Sequence, residues 1–450
     1  WLSTSAYGNI TSTVEGAHLN LGEAMTPITL NYTVNANASS GSSGGSGSGS
    51  GSGSSTSSTS SFVYANDKIS SGGQHTCAIL DNGEMKCWGM NTYGQLGIGF
   101  NIGGVSSNGN HLQPPSITID FGTGRTPVKV SSGGLHACAL LDNDDVKCWG
   151  SRGEGRLGIG GSGSGTEPEP PTTAINFGTS SKVIDVGAGG QHSCALLENG
   201  DVKCWGRAYR YRLGLTSSSD FYQPGLSAIL PTGRTAVAMD VGLQGASCVI
   251  LDSGNVSCWG EPHGSYQPYV EIGVGTGRQA VAISVGDDHY CIILDNGDLK
   301  CWGSDQYGQL GDGGPAWSTS NPTSVSAPPS TAINLGAGRT AVALATGERH
   351  TCAILDNGEV KCWGGDSYGQ LGNGPTITAN QGSPSSTSVD LGTGRTAVAI
   401  SAGNHHTCAI LDNGDMKCWG GDYRGQLGDG GTATNQESPG SVAGNNAWDT

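Results

Sequence analysis

The feature that most restricts this chain is the spacing of its cysteines. Fourteen of them fall into seven pairs, and within every pair ten positions separate the two thiols. Successive pairs begin 43 to 61 residues apart. A repeat of about that period is the mark of solenoids, propellers and arrays. Length alone, 450 residues, would suggest about three separate domains. The repeat replaces that expectation with one repeat domain.

Each pair sits in the same frame. Residues 74–89 read Gln-His-Thr-Cys-Ala-Ile-Leu-Asp-Asn-Gly-Glu-Met-Lys-Cys-Trp-Gly, and residues 405–420 repeat them almost unchanged. Two short β-type runs flank Asp-Asn-Gly, a hairpin signal because glycine accepts positive φ. A three-residue turn at Asp81–Gly83 sets Leu80 against Glu84, and counting outward brings Cys77 opposite Cys87. Directly opposed residues lie within disulfide reach. The spacing therefore predicts seven cross-strand disulfides: Cys77–Cys87, Cys138–Cys148, Cys194–Cys204, Cys248–Cys258, Cys291–Cys301, Cys352–Cys362 and Cys408–Cys418. Structural zinc sites use a much shorter Cys-x(2–4)-Cys spacing. A tryptophan follows the second cysteine of every pair, so period-two alternation sends it to the opposite face of the sheet. A sheet buried on both faces must lie between copies of itself, and seven such sheets set radially make a β-propeller. The expected fold class is all-β, with seven blades and one disulfide per blade.

After Trp-Gly the chain runs through a loop ending in Gly-Gln-Leu-Gly at 94–97, 308–311, 369–372 and 425–428. Degenerate versions end at Gly158 and Gly214, and the fourth repeat has none. Gly-Arg-Thr-Ala-Val or a variant then opens the next unit at Arg125, Arg234, Arg278, Arg339 and Arg395. Together these motifs resemble the regulator of chromosome condensation repeat over about residues 62–445. The resemblance implies a seven-bladed propeller. It does not imply one function, because the family spans a nuclear exchange factor and secreted inhibitors. Repeats two to seven open with two strand-like pieces, such as Ser388–Leu391 and Ala397–Ser401, whereas repeat one has only Phe62–Ser70. Residues 441–443 are therefore expected to close the ring beside the first-blade strands, giving a propeller over 62–450.

Several function classes drop out. A net charge of −16 is wrong for a nucleic-acid partner, whose phosphates call for a basic face. It also fits poorly with a nuclear exchange factor. No run of 18 apolar residues exists, so no membrane-inserting helix is expected. Histidines stand two residues before the first cysteine in six repeats, at His75, His136, His192, His289, His350 and His406, with Ala246 in the fourth. A catalytic histidine is usually unique, so six equivalent copies read as structural. Neither a calcium loop nor a phosphate loop is present. No catalytic residue, metal or cofactor is expected.

Specificity should lie where the repeats differ. The loop after Trp-Gly carries Arg152 and Arg156 in blade two, and Arg207, Tyr209, Arg210, Tyr211 and Arg212 in blade three. Equivalent loops in blades five to seven carry Asp305, Asp312, Asp366, Asp422 and Asp429. Arg and Tyr are favoured interface anchors, so the basic sector reads as a patch for an anionic glycan or an acidic protein. His263, Tyr266 and Tyr269 of the shortened fourth repeat would shape its edge.

The chain starts at Trp1 without a basic and apolar leader and reads as a processed segment. Residues 39–61 are entirely Ser, Gly and Thr, a flexible linker composition. Ahead of them, in residues 1–38, Ile28, Leu30, Tyr32 and Val34 alternate with polar residues, the pattern of a half-buried strand. The phrase Gly22-Glu-Ala-Met-Thr-Pro-Ile-Thr resembles repeats of immunoglobulin-like surface domains, of which a fragment is present. One strand cannot bury a core alone. It can dock on its own propeller, complete a missing upstream domain or add to a neighbouring subunit; the expectation is the last, strand addition giving a head-to-tail homopolymer. The alternative is a monomeric binding propeller, adhesin-, glycan-binding- or inhibitor-like, working through the Arg/Tyr patch. Sequons at Asn9, Asn31, Asn37 and Asn255, beside seven disulfides, suit an extracellular or cell-surface setting.

Overall fold

A computed structural model describes residues 67–99, 110–161, 164–260, 270–314, 327–374, 380–431 and 434–443. The expected donor strand (Ile28, Leu30, Tyr32, Val34), the sequons at Asn9, Asn31 and Asn37, and His263, Tyr266 and Tyr269 lie outside the described residues.

The hairpin forms as the turn chemistry dictates. In blade one, Leu80 N–H donates to the Glu84 carbonyl at 2.7 Å and Gly83 N–H to the Leu80 carbonyl at 3.0 Å. Gly83 takes a φ of 83°, as that turn requires. The register then sets Cys77 against Cys87 and Thr76 against Trp88. The same cysteine pairing recurs in every blade, and all seven disulfides form with Cα atoms 4.0–4.1 Å apart. The tryptophans on the other face are buried in all seven blades.

Each blade adds an inner strand before the hairpin; in blade six the order is Ala341–Thr346, His350–Leu355 and Val360–Gly364. The inner strand of blade one, Ile69–Ser71, packs against those of blade two, Pro127–Ser132, and blade seven, Ala397–Ala402. The ring is closed. The core is a set of clusters between adjacent blades; Cys352 and Val360 of blade six, for example, pack with Ala409 and Trp419 of blade seven.

Closure works differently from the sequence expectation. Gln436–Ser441 pairs with the last hairpin strand of blade seven, Met416–Gly420, and not with blade one. The reason lies in where each repeat begins. Val389 N–H bonds the Val360 carbonyl of the preceding blade at 2.8 Å, and Val442 N–H bonds the Met416 carbonyl at 3.2 Å in the same way. The leading strand-like piece of repeats two to seven thus forms the outer edge of the blade before it. Residues 441–443 finish blade seven. Val442 still reaches the seam, packing with Ile69, Ala78 and Trp88 of blade one.

Around the axis the inner strands enclose a cavity of about 150 Å³. Their outward N–H groups would be an unsatisfied sheet edge, and side chains of the preceding blade satisfy them. Ser70 Oγ accepts from Ser132 N–H, Ser131 Oγ from Ala188 N–H and Ser401 Oγ from Ser71 N–H, each at 2.8 Å. Asp240 accepts from Val285 N–H at 2.7 Å. Burial pushes the Asp240 carboxyl up to about 6. Lys129, which lines the same cavity with Asp67, bridges Asp67 and Asp185.

Candidate functional site

The turn from inner to middle strand and the loop after Trp-Gly leave each antiparallel blade at the same end. That end carries nearly all the differences among the repeats, on a frame the repeats share. In blade six, Asp366 Oδ1 accepts from Leu371 N–H at 3.1 Å, Gln370 Oε1 accepts from Tyr368 N–H at 2.9 Å, and the Gln370 carbonyl receives Trp419 Nε1–H of the next blade at 2.9 Å. Asp305 and Asp422 accept from Leu310 and Leu427 in the same way. Burial pushes their carboxyls up to about 6 and about 7. Asp366 and Asp422 are buried, and Asp312 and Asp429 cap local turns at Gly314 and Gly431. The expected acidic sector is therefore in large part loop framework.

The basic sector also divides. Arg156 and Arg212 stand where other blades have the framework glutamine, and their carbonyls receive Trp205 and Trp259 Nε1–H at 2.9 and 3.1 Å. Both side chains are buried. The Arg156 guanidinium pairs with Glu154 and donates to the Gly190 carbonyl; Arg212 Nη1 donates to Gln191 Oε1 at 2.7 Å. As members of an exposed patch, Arg156 and Arg212 are corrected: they position the loops. Arg152 is ion-paired to Glu167 at 3.0 Å. What remains presented is the tip of the blade-three loop. Arg207 donates to Gln191 Oε1 at 2.6 Å. Tyr209 is 48% exposed, with the guanidinium carbons of Arg207, Arg210 and Arg212 lying 5.2, 5.3 and 5.9 Å from its ring centroid. Those distances are in cation–π range.

The backbone of that tip is unusual. Arg210 and Tyr211 have φ of 56° and 60°, and Tyr211 occupies the position of Gly94, Gly308, Gly369 and Gly425. Two consecutive side chains in the left-handed region cost of order 1–3 kcal/mol each, and such residues cluster at functional sites.

Asn255 is held in its hairpin, Nδ2 donating to Glu271 Oε1 at 2.8 Å. The histidines bridge blades: His136, His192 and His289 Nε2 lie 2.8 Å from the hydroxyls of Ser193, Ser247 and Thr351, one blade on. Sequence reading missed a second group at the same end, in the turns of blades five to seven, where Asp288, Arg349 and His405 each precede the repeated histidine. The turn is otherwise glycine-rich, and comparing that one variable position across repeats would have exposed it.

Residues 104–449 match the RCC1-like domain family, and residues 67–95 match the regulator of chromosome condensation (RCC1) repeat. The ultraviolet-B receptor UVR8 of Arabidopsis thaliana is 27% identical over 379 residues, covering 80% of this chain and 78% of its own. The E3 ubiquitin-protein ligase HERC2 of Homo sapiens is 29% identical over 363 residues, 80% of this chain but 6% of that protein, so the chain spans a small part of this relative. Among solved structures, yeast RCC1 (Prp20) bound to Kap60 superposes with a TM-score of 0.66 at 20% identity, over 88% of this chain and 91% of that one. Prp20p from Saccharomyces cerevisiae, in a study of its binding to Gsp1p and histones, gives the same score over 85% and 87%.

Proposed function

The chain belongs to the RCC1-like domain family, and from that premise we propose that it is a non-catalytic binding propeller of an oxidising, extracellular or cell-surface setting, whose blade-three loop anchors an acidic protein. One observation carries the reading: exposed Tyr209 flanked by the guanidiniums of Arg207 and Arg210 on a strained loop, in a molecule of net charge −16. Tyr and Arg dominate interface hot spots, and a bound carboxylate surface would meet a preorganised basic tip. Prp20 is solved with a protein partner, which favours protein over glycan here. Seven disulfides fit the proposed compartment. The test is affinity capture of extracellular proteins on wild type and on Arg210→Glu/Tyr209→Ala. Loss of the captured partner supports the site; unchanged capture removes it.

Self-assembly through residues 1–38 is a second reading, favoured by the alternation of Ile28, Leu30, Tyr32 and Val34 ahead of the Ser/Gly/Thr linker. Light scattering of the full chain against Leu30→Asp/Tyr32→Asp tests it. A monomer in both counts against it.

A further inference from the structure

The turns of blades five, six and seven assemble a second surface at the loop end. Glu348 lies 3.0 Å from the Arg349 guanidinium and 3.3 Å from His405 Nε2. Arg349 in turn lies over the ring of Tyr307 of blade five, 4.4 Å from its centroid. One blade on, the His405 and Tyr368 rings stack at 4.4 Å with 23° between planes. Tyr423 extends the shelf, 6.2 and 6.3 Å from those two rings. Asp287 is buried and Asp288 exposed, and Asp287 lies within electrostatic reach of Glu348, Arg349 and Asp288. The turns thus combine three carboxylates with four rings and a guanidinium already bedded on one of those rings.

From this we propose that the Tyr368–His405–Tyr423 shelf, with Glu348 and Asp288, docks an arginine or lysine side chain from a basic segment of a protein partner. The surface itself supplies the precedent: Tyr307 stacks Arg349 while Glu348 pairs with it. A second cation on the neighbouring shelf gains the same ring-face attraction, worth more where water is partly excluded. It also meets net negative charge, since Asp287, Asp288 and Glu348 outweigh Arg349. The rings are held by mutual stacking, so little side-chain freedom is lost on docking. This site is separate from the basic tip of blade three and takes the opposite charge.

Asp287 adds a pH readout. It faces Glu348 and Arg349 of blade six, Asp288 of its own turn, and Gln244 of blade four. Burial first, then the Glu348 charge, push its carboxyl up to about 7. Its negative charge is therefore gained as pH rises from 6 to 8.

The experiment is fluorescence anisotropy of labelled hexa-arginine on the full chain at pH 8 in ~0.15 M salt, where long-range attraction to net charge is screened. Glu348→Gln/Asp288→Asn is expected to weaken binding at least tenfold, and Tyr368→Leu severalfold. Asp120→Asn/Asp390→Asn, which removes equal charge from exposed turns at the other end, is expected to leave it unchanged. Wild-type binding is expected to weaken at pH 6. Thermal midpoints of all variants establish that they are folded. Equal weakening by both double variants would reduce the effect to general electrostatics and overturn the site. Full binding by Tyr368→Leu would overturn the shelf.

Discussion

His350 Nε2 of blade six lies 2.9 Å from Thr407 Oγ1 of blade seven, and that hydroxyl donates to the Gln370 carbonyl of blade six at 3.0 Å. Because the hydroxyl proton is spent on Gln370, the imidazole must be the donor, which fixes its neutral Nε2–H tautomer. The pair ties two blades through three groups, all shut off from water.

Removing the hydroxyl should therefore uncouple the blades. Thr407→Val keeps the shape and leaves a buried N–H without an acceptor, a cost of about 1–3 kcal/mol. Blade two shows the natural counterpart: Ala137 stands at the threonine position, and both nitrogens of buried His75 have no partner among the described residues. Ala137→Ser should supply the missing acceptor and add about 0.5–1.5 kcal/mol. Differential scanning calorimetry should show opposite shifts for the two variants. A lower midpoint for Ala137→Ser would refute the pairing rule.

The same groups set the pH response. Burial holds His192, His289, His350 and His406 down to about 3, and His75 to about 4. A depressed histidine contributes stability that is full above its ordinary 6.5 and lost as pH falls toward 3. Asp240, at about 6, works the other way: its contribution is full below its ordinary 3.8 and lost as pH rises through 6. Between pH 6.5 and 4 the two sets oppose each other. His350→Gln should flatten the acid loss of thermal midpoint. Asp240→Asn should steepen that loss and raise the midpoint at pH 8. Parallel profiles for the two variants would contradict these assignments.

Much of this was legible in the sequence, for a physical reason. A hairpin's register follows from its turn, so ten-residue spacing carried the disulfides, the indole face and the blade count. Hydrogen-bond partners in the next blade were not legible, because Ser193 and Thr407 lie 57 residues from His136 and His350, far outside any local pattern. Arg156 and Arg212 were misread although a signal existed. Each stands seven positions after its tryptophan, as Gln95 does after Trp88, so the offset marks a framework position whatever the side chain.

That framework position is followed two residues later by a glycine that cannot be replaced. Gly311 has φ of 72°, and a Cβ there would sit 2.5 Å from Trp363 Nε1. Left-handed backbone and a clash with a fixed indole together put the cost of Gly311→Ala at about 2–4 kcal/mol. Chemical denaturation should show it, while Gly338→Ala, also at positive φ but with open space around its Cβ, should cost about 1–2 kcal/mol. Equal costs would mean the indole contact is unimportant.

Blades four and five depart from the histidine rule together. Where the fourth repeat has Ala246, blade five has Tyr290 in place of the hydroxyl residue, and both are buried in one cluster. Tyr290, sharing that cluster with Ala246, stacks on Trp302, centroids 5.5 Å apart. Ala246→His alone should overpack, costing about 1–3 kcal/mol, and Tyr290→Thr alone should leave a cavity costing about 3–5 kcal/mol. The double variant rebuilds the pair used elsewhere in the ring and should be more stable than the sum of the two losses. A double-mutant cycle with no coupling energy would show that the two positions do not compensate.

The seam between blades seven and one is closed by the last described residues. Val442 N–H bonds Met416, Ala443 N–H bonds the Gly428 carbonyl at 2.8 Å, and the Val442 side chain is buried against Ile69, Ala78 and Trp88. Removing residues 438–450 strips an edge from blade seven and a packing surface from blade one, so the thermal midpoint should fall. Val442→Ala removes only the packing, at about 1–3 kcal/mol. Hydrogen exchange distinguishes the two roles. With Val442→Ala, faster exchange should appear in Ile69–Ser71 of blade one as well as in Met416–Gly420 of blade seven. Faster exchange confined to blade seven would mean that the segment serves as an outer strand alone and contributes nothing to the closure of the ring.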